Sequence, residues 1–161
     1  MSATEAIKAA RSAGVRLGID GDTLTLEADI APPAAVLDSL AQHKSSIVAL
    51  LHEREEWRAF FDERAGIAEF DSGMTRASAD ARAFACCVAK WLNRNPARSS
   101  PGTCLGCGGG EHADDKLLPF GAEPPGHAWL HSRCWEEWHA NRKAAAAAAL
   151  SLFGITIRTS P

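Results

Sequence analysis

The sequence predicts an α+β fold, mostly α, built from small modules rather than one large core. Three observations carry this. Apolar and polar residues alternate on both sides of Asp20-Gly21, the pattern of a strand pair. Apolar residues recur at i, i+3 and i+4 through much of the rest. Two short pairs of metal-binding residues, Cys104-x-x-Cys107 and His131-x-x-Cys134, lie close to the C-terminal end.

Residues 1–54 read as helix, strand, strand, helix, helix. Ser2 and Glu5 have the spacing of a capping box, in which each side chain satisfies the other's free backbone N–H. A helix over about 3–13 follows, with Ile7 and Ala10 on one face and Gly14 as its terminator. Val15 to Ile19 and Asp22 to Glu27 then form two strands, because Gly21 supplies the positive φ that a tight primed turn demands. The alternation points Val15, Leu17, Ile19, Leu24 and Leu26 at the core. It points Arg16, Gly18, Thr23, Thr25 and Glu27 outward. Pro32 and Pro33 end the second strand and open a helix carrying Val36, Leu37 and Leu40. Ile47, Leu50 and Leu51 mark another over about 44–54.

Residues 55–97 read as all-helical. Trp57, Phe60, Phe61, Arg64, Ala65 and Ala68 share one broad face, which Asp71-Ser72-Gly73 interrupts. Thr75 has the chemistry of an N-cap for a helix carrying Phe84, Cys87, Val88 and Trp91. The stretch from Asn95-Pro96 to Pro101-Gly102 is a linker. Residues 98–161 begin with an irregular Gly-rich approach, continue through the Pro- and Gly-rich Pro119–Gly126, and close with a helix from about Ser132 to Leu152 that Gly154 ends. The Ala144–Ala149 run reads as a lightly packed helix stem.

Composition narrows the function. The 161 residues are 46% hydrophobic and 23% charged, with 17 Lys and Arg against 20 Asp and Glu, a net charge of −3. No part carries the basic bias of a protein driven onto nucleic acid by charge. No apolar run reaches the roughly 18–20 residues of a membrane span. No export signal stands at the N-terminus, so the expected compartment is the cytoplasm. Five cysteines in a cytoplasmic chain suggest a metal site rather than a disulfide frame.

Cys104, Cys107, His131 and Cys134 are the expected ligands. Three thiols and an imidazole in two short pairs suit a tetrahedral Zn²⁺, and Gly106 between the first two lets the backbone wrap tightly around an ion. His127, four residues before His131, competes for the fourth place; His112 and His139 are weaker competitors. The alternative is a set of unrelated reduced thiols. Neither H-x-E with a later P-C-x-x-C nor H-E-x-x-H occurs, so the expected ion is structural and the chain non-enzymatic. Trp129, Trp135 and Trp138 flank the ligands and would pack around them. Cys86-Cys87 reads as a pair of inert thiols rather than a redox pair. A zinc pair in a loop followed by another at a helix start resembles treble-clef-like modules over about Cys104–Leu152.

The first part also resembles a known family. Gly14-Val15-x-Leu17, Gly21-Asp22-x-Leu24 and Leu40-x-x-His43-Lys44-x-x-Ile47-x-x-Leu50 are similar to the pattern of TubC-type N-terminal docking domains of hybrid nonribosomal-peptide and polyketide synthases, over about residues 6–51. That resemblance implies a small αββαα domain, homodimeric, whose exposed hairpin strand captures a short segment of a partner protein. Arg16, Gly18, Thr23, Thr25 and Glu27 would then be the selective surface. The sequence has neither the H-H-x-x-x-D of a condensation domain nor room for one. The expected function is thus a docking or adapter protein with a structural zinc. The alternative is a nucleic-acid-associated accessory protein, for which Arg133, Arg142 and Lys143 on one helix speak. A zinc enzyme with His127 or His131 as a labile ligand is a third and weaker reading.

Overall fold

The computed structural model describes residues 2–120 and 127–157. Gly121–Gly126 of the expected Pro- and Gly-rich stretch lie outside them. The chain is mostly helical with two small antiparallel sheets, and it divides into two compact units, Met1–Ala59 and Phe60–Pro161.

In the first unit, α1 spans Ala3–Ser12. Both halves of the expected capping box form: the Ser2 N–H donates to Glu5 Oε2 at 2.6 Å, and the Glu5 N–H donates to Ser2 Oγ at 3.3 Å. Gly14, at φ 76°, turns the chain into β1 (Arg16–Asp20), which pairs with β2 (Thr23–Glu27). The register is Arg16↔Glu27, Gly18↔Thr25 and Asp20↔Thr23 on one face, and Leu17↔Leu26 and Ile19↔Leu24 on the other. Gly21 is the first of two loop residues and has φ 53°. No non-glycine among the described residues has a positive φ, so the turn places its one left-handed residue where a type II′ hairpin needs glycine.

α2 (Ala34–Gln42) begins directly after Pro33, and α3 (Lys44–Gly66) follows after His43. The core of this unit is Ala6, Ala10, Val15, Leu40, Ile47 and Leu51, with Leu17, Ile19 and Leu24 packed against it. Each Leu, Ile or Val buried there contributes about 1.5–3 kcal/mol.

Two expectations are corrected here. Leu26 is 47% exposed rather than in the core: its cross-strand partner Leu17 and its strand neighbour Leu24 pack against the core, and Leu26, on the β2 side at the hairpin's open end, does not. The helix expected over 44–54 continues to Gly66, since nothing between Leu51 and Trp57 breaks it.

The second unit takes up the rest of α3, a π-helical turn over Ile67–Asp71, and α4 (Arg76–Arg94). Phe61, Ala65 and Ala68 are buried as the periodicity required, while Phe60 and Arg64 are half-buried. Thr75 caps α4, accepting from the Ser78 N–H at 3.3 Å. Ala79, Ala83 and Cys87 form its buried stripe. α5 spans Trp135–Leu152 and packs on α4. The single-turn 3₁₀ segment Ser132–Cys134 leads into it, so the regular helix starts three residues later than expected.

The expected irregular approach to that helix contains a hairpin, β3 (Leu117–Phe120) with β4 (Ala128–His131). Pro119 sits opposite Trp129 in it. A proline is tolerated because the Trp129 backbone makes its bonds on the other side. Its N–H donates to Ser99 Oγ at 2.8 Å, and its carbonyl accepts from the Leu105 N–H at 3.0 Å.

Candidate metal centre

Three chain segments converge on one point in the second unit. Cys104 and Cys107 come from a tight turn, His131 from the end of β4, and Cys134 from the 3₁₀ segment before α5. The turn is closed by the Gly108 N–H donating to the Cys104 carbonyl at 2.9 Å and the Cys104 N–H donating to the Gly109 carbonyl at 2.8 Å. Gly108, at φ 73°, makes that reversal possible. The space inside is tight: a Cβ on Gly106 would stand 2.6 Å from Cys134 Cβ. The glycine between the two thiols is therefore required by the approach of the second pair.

One ligand atom from each of Cys104, Cys107, His131 and Cys134 lies within 4.8 Å of the others. Zinc–sulfur bonds of about 2.3 Å in a tetrahedron put the ligand atoms about 3.7 Å apart, so a small inward adjustment closes the set. All five cysteines are free thiols. His127 does not join the group; its ring meets Trp129 edge-on, with centroids 6.0 Å apart. His112 is an exposed residue in a turn bonded to Asp115, and His139 stacks on Trp135 at 4.6 Å.

The chemistry of the donors fits a metal. His131 is fully buried. Its Nε2 is 3.0 Å from the Gly110 carbonyl, which can only accept, so Nε2 carries the proton. Nδ1 is then the free lone pair, and it faces Cys107 Sγ at 3.4 Å. Fixing one ring nitrogen so that the other can ligate is what a metal-binding histidine needs. Asp115 Oδ2 stands 3.9 Å from His131 Nε2 and pairs with Arg133 at 2.8 Å.

The sulfurs are prepared as thiolates to different degrees. Burial alone pushes Cys104 up, but N–H groups of Cys107, His131 and Gly106 directed at its sulfur bring it down to about 6. The latter two lie at 3.4 and 3.3 Å. Cys107 is held below the usual thiol range by the Gly109 N–H and by His131. Cys134 is pushed up by burial and by the two neighbouring thiols, so an ion must supply the charge that makes it a thiolate.

Around the ligands packs a small core of Cys104, Leu117, Ala128 and Leu130, with Trp129, Trp135 and Trp138 against it. Trp135 is stacked between Phe120, at 4.2 Å, and His139. The three tryptophans thus serve as packing. Asp115, Gly110 and Ser99 support the centre without any spacing signal in the sequence; the run Gly108-Gly109-Gly110 was the nearest hint.

On the hairpin of the first unit, Arg16, Gly18, Thr23, Thr25 and Glu27 share the outward face, in the expected alternation. Arg16 Nε donates to Glu27 Oε2 at 3.3 Å, and a Cβ on Gly18 would meet Thr25 Oγ1 at 2.8 Å. The cations that favoured nucleic acid are partly engaged. Arg133 holds Asp115, while Arg142 donates to the Asn95 carbonyl and lies over the Trp91 ring at 5.3 Å. Among the described residues, no helix is long and apolar enough to cross a membrane. No protein-family model, curated protein or solved structure matches the chain.

Proposed function

We propose that this chain is a non-catalytic docking or adapter protein, with one Zn²⁺ as a structural staple in its second unit and a strand-capturing hairpin in its first. The four-ligand set carries this reading. Three thiols and an imidazole with a fixed tautomer saturate a tetrahedral ion, and a saturated ion has no open place for water or substrate. Zinc is the choice because soft thiolates with one imidazole suit it and it brings no redox chemistry. The order of a tight turn, a hairpin and a helix start supplying the ligands also supports a treble-clef-like module.

The docking half rests on the hairpin's edges. In a two-residue hairpin the closing pair Asp20↔Thr23 exchanges hydrogen bonds, and so does every second pair along the register. The N–H groups of Leu24 and Leu26 therefore point away from β1. Leu26, half-exposed, offers an edge to which an extended partner segment can add. Arg16, Gly18, Thr23, Thr25 and Glu27 on the outward face would read the partner's side chains, as in TubC-type domains.

Metal analysis of the purified protein tests the first half: one zinc per chain is expected, and a metal-free folded protein overturns it. A quantitative pull-down with wild type beside Arg16→Glu/Leu26→Pro tests the second. Proline at 26 removes an outward N–H without touching the hairpin's own bonds. Loss of specific partners is expected, and retention of the same partners overturns the docking surface.

A further inference from the structure

The second unit carries a knob and a socket that do not meet within one chain. The knob is Phe70, on the π-helical turn between α3 and α4. Its side chain is 82% exposed, and Ile67 on the same turn is 41% exposed. A phenyl ring has a large apolar area to withdraw from water, and single π-turns beside α-helices are frequent at functional sites.

The socket is a groove of about 510 Å³ between α4 and α5. Phe84, Val88 and Leu92 line it from successive turns of α4, and each is half-buried. Ala144 and Ala147 line it from α5, so that wall is low and leaves room for a ring. The exposed Lys143 also lines the groove, and no acidic residue does.

Charge matches the knob to the socket. Glu69 and Asp71 flank Phe70. Arg76 holds Glu69 at 3.0 Å and pairs with Asp80 at 3.0 Å. Among the described residues, neither the Asp71 carboxylate nor the Lys143 ammonium has an ion-pair partner. Position matches as well. The Met74 N–H donates to the Ala68 carbonyl at 3.1 Å, which folds the turn back beside the start of α4. The groove begins at Phe84, about two helical turns further along. Two α4 helices set antiparallel across a twofold axis therefore each carry a Phe70 toward the other's groove.

We propose that the second unit pairs with a second copy of this chain, each Phe70 entering the other's α4–α5 groove and each Asp71 meeting the other's Lys143. A second copy supplies both an uncovered ring and an adjoining free carboxylate, and a twofold contact fills both grooves at once. The contact is separate from the hairpin edge of the first unit. Two rings and their groove walls make a small interface, so the dimer is reversible and micromolar.

The test is analytical ultracentrifugation of the full-length, zinc-loaded protein from micromolar to millimolar concentration. Wild type should dimerise reversibly. Phe70→Ser, at an exposed residue with little packing to lose, should weaken the dimer at least about 30-fold, because two buried rings are removed. Lys143→Asp should weaken it about 5-fold or more by setting like charges together. Adding Asp71→Lys exchanges the two charges and should restore the wild-type constant. If the first unit also self-associates, wild type goes beyond the dimer and Phe70→Ser stops at it, which supports the contact equally. A wild type that is monomeric throughout, an association that Phe70→Ser leaves unchanged, or a charge exchange that restores nothing overturns it.

Discussion

Gly106 shows how much one missing side chain can decide. The Cys-x-x-Cys turn works only if the second ligand pair can come against its back, and Cys134 Cβ occupies the place where a residue-106 Cβ would be. Gly106→Ala must displace either the turn or the start of the helix, neither of which has slack. A fall in zinc affinity of about 10-fold or more is expected, measured by competition with a chelator of known affinity. Gly109→Ala is the control, since its Cβ would meet nothing closer than Cys107 Sγ at 3.4 Å. If the two variants hold zinc equally well, the close approach at 106 is not what shapes the centre. The same logic separates His131 from His127. The two stand four residues apart and are rivals on paper, but it is His131 that has a carbonyl on its far nitrogen and the Cys107 sulfur on its near one.

At the scale of elements, local signals were legible wherever local chemistry decides the outcome. The Ser2–Glu5 box, the Thr75 cap, the Gly21 turn and the outward row from Arg16 to Glu27 could all be read because each rests on neighbours a few residues apart. β3 and β4 could not. Each has four residues, β3 contains a proline, and their pairing depends on Ser99 and Leu105 taking up the Trp129 backbone, contacts about 25–30 residues distant in sequence. The length of α3 was hidden for the opposite reason: a polar stretch, Glu53 to Glu56, resembles a boundary but forms helix as readily as its flanks. Leu26 failed because alternation gives the face and not how far the covering helices extend. The capping box also makes a pH prediction. Hydrogen bonds from the Ser2 backbone and side chain hold the Glu5 carboxyl below its ordinary value of 4.5. A lowered folded-state pKa contributes stability above the unfolded value that is lost as pH falls through the lowered one. The protection of the first-turn amides of α1, relative to the rate of an unstructured peptide at the same pH, should therefore fall as pH is lowered from 5 toward about 3, beyond the change seen in Glu5→Gln. Equal pH profiles for the two would mean that the box does not hold the helix end.

Across the whole molecule, the two units are stabilised by different means. The first has a core of six apolar residues drawn from three helices and the residue just before β1, with Val15, Leu40 and Ile47 at 2% exposure or less. The core beside the metal ligands has four residues, one of them the ligand Cys104. So small a set cannot offset the conformational entropy of ordering the turn, the hairpin and the helix start; a bound ion can, since its binding energy becomes folding energy. Chelation should therefore act unequally. EDTA should release the ion and loosen the packing of Trp129, Trp135 and Trp138, seen as loss of near-ultraviolet circular dichroism. Amides of Gly106, Gly108 and His131 should exchange freely, while those of α1, β1 and β2 keep their protection. Protection lost everywhere at once would show a single cooperative fold rather than two units. Protection kept everywhere would show that thiol and imidazole hold the second unit without an ion, and the staple would be redundant.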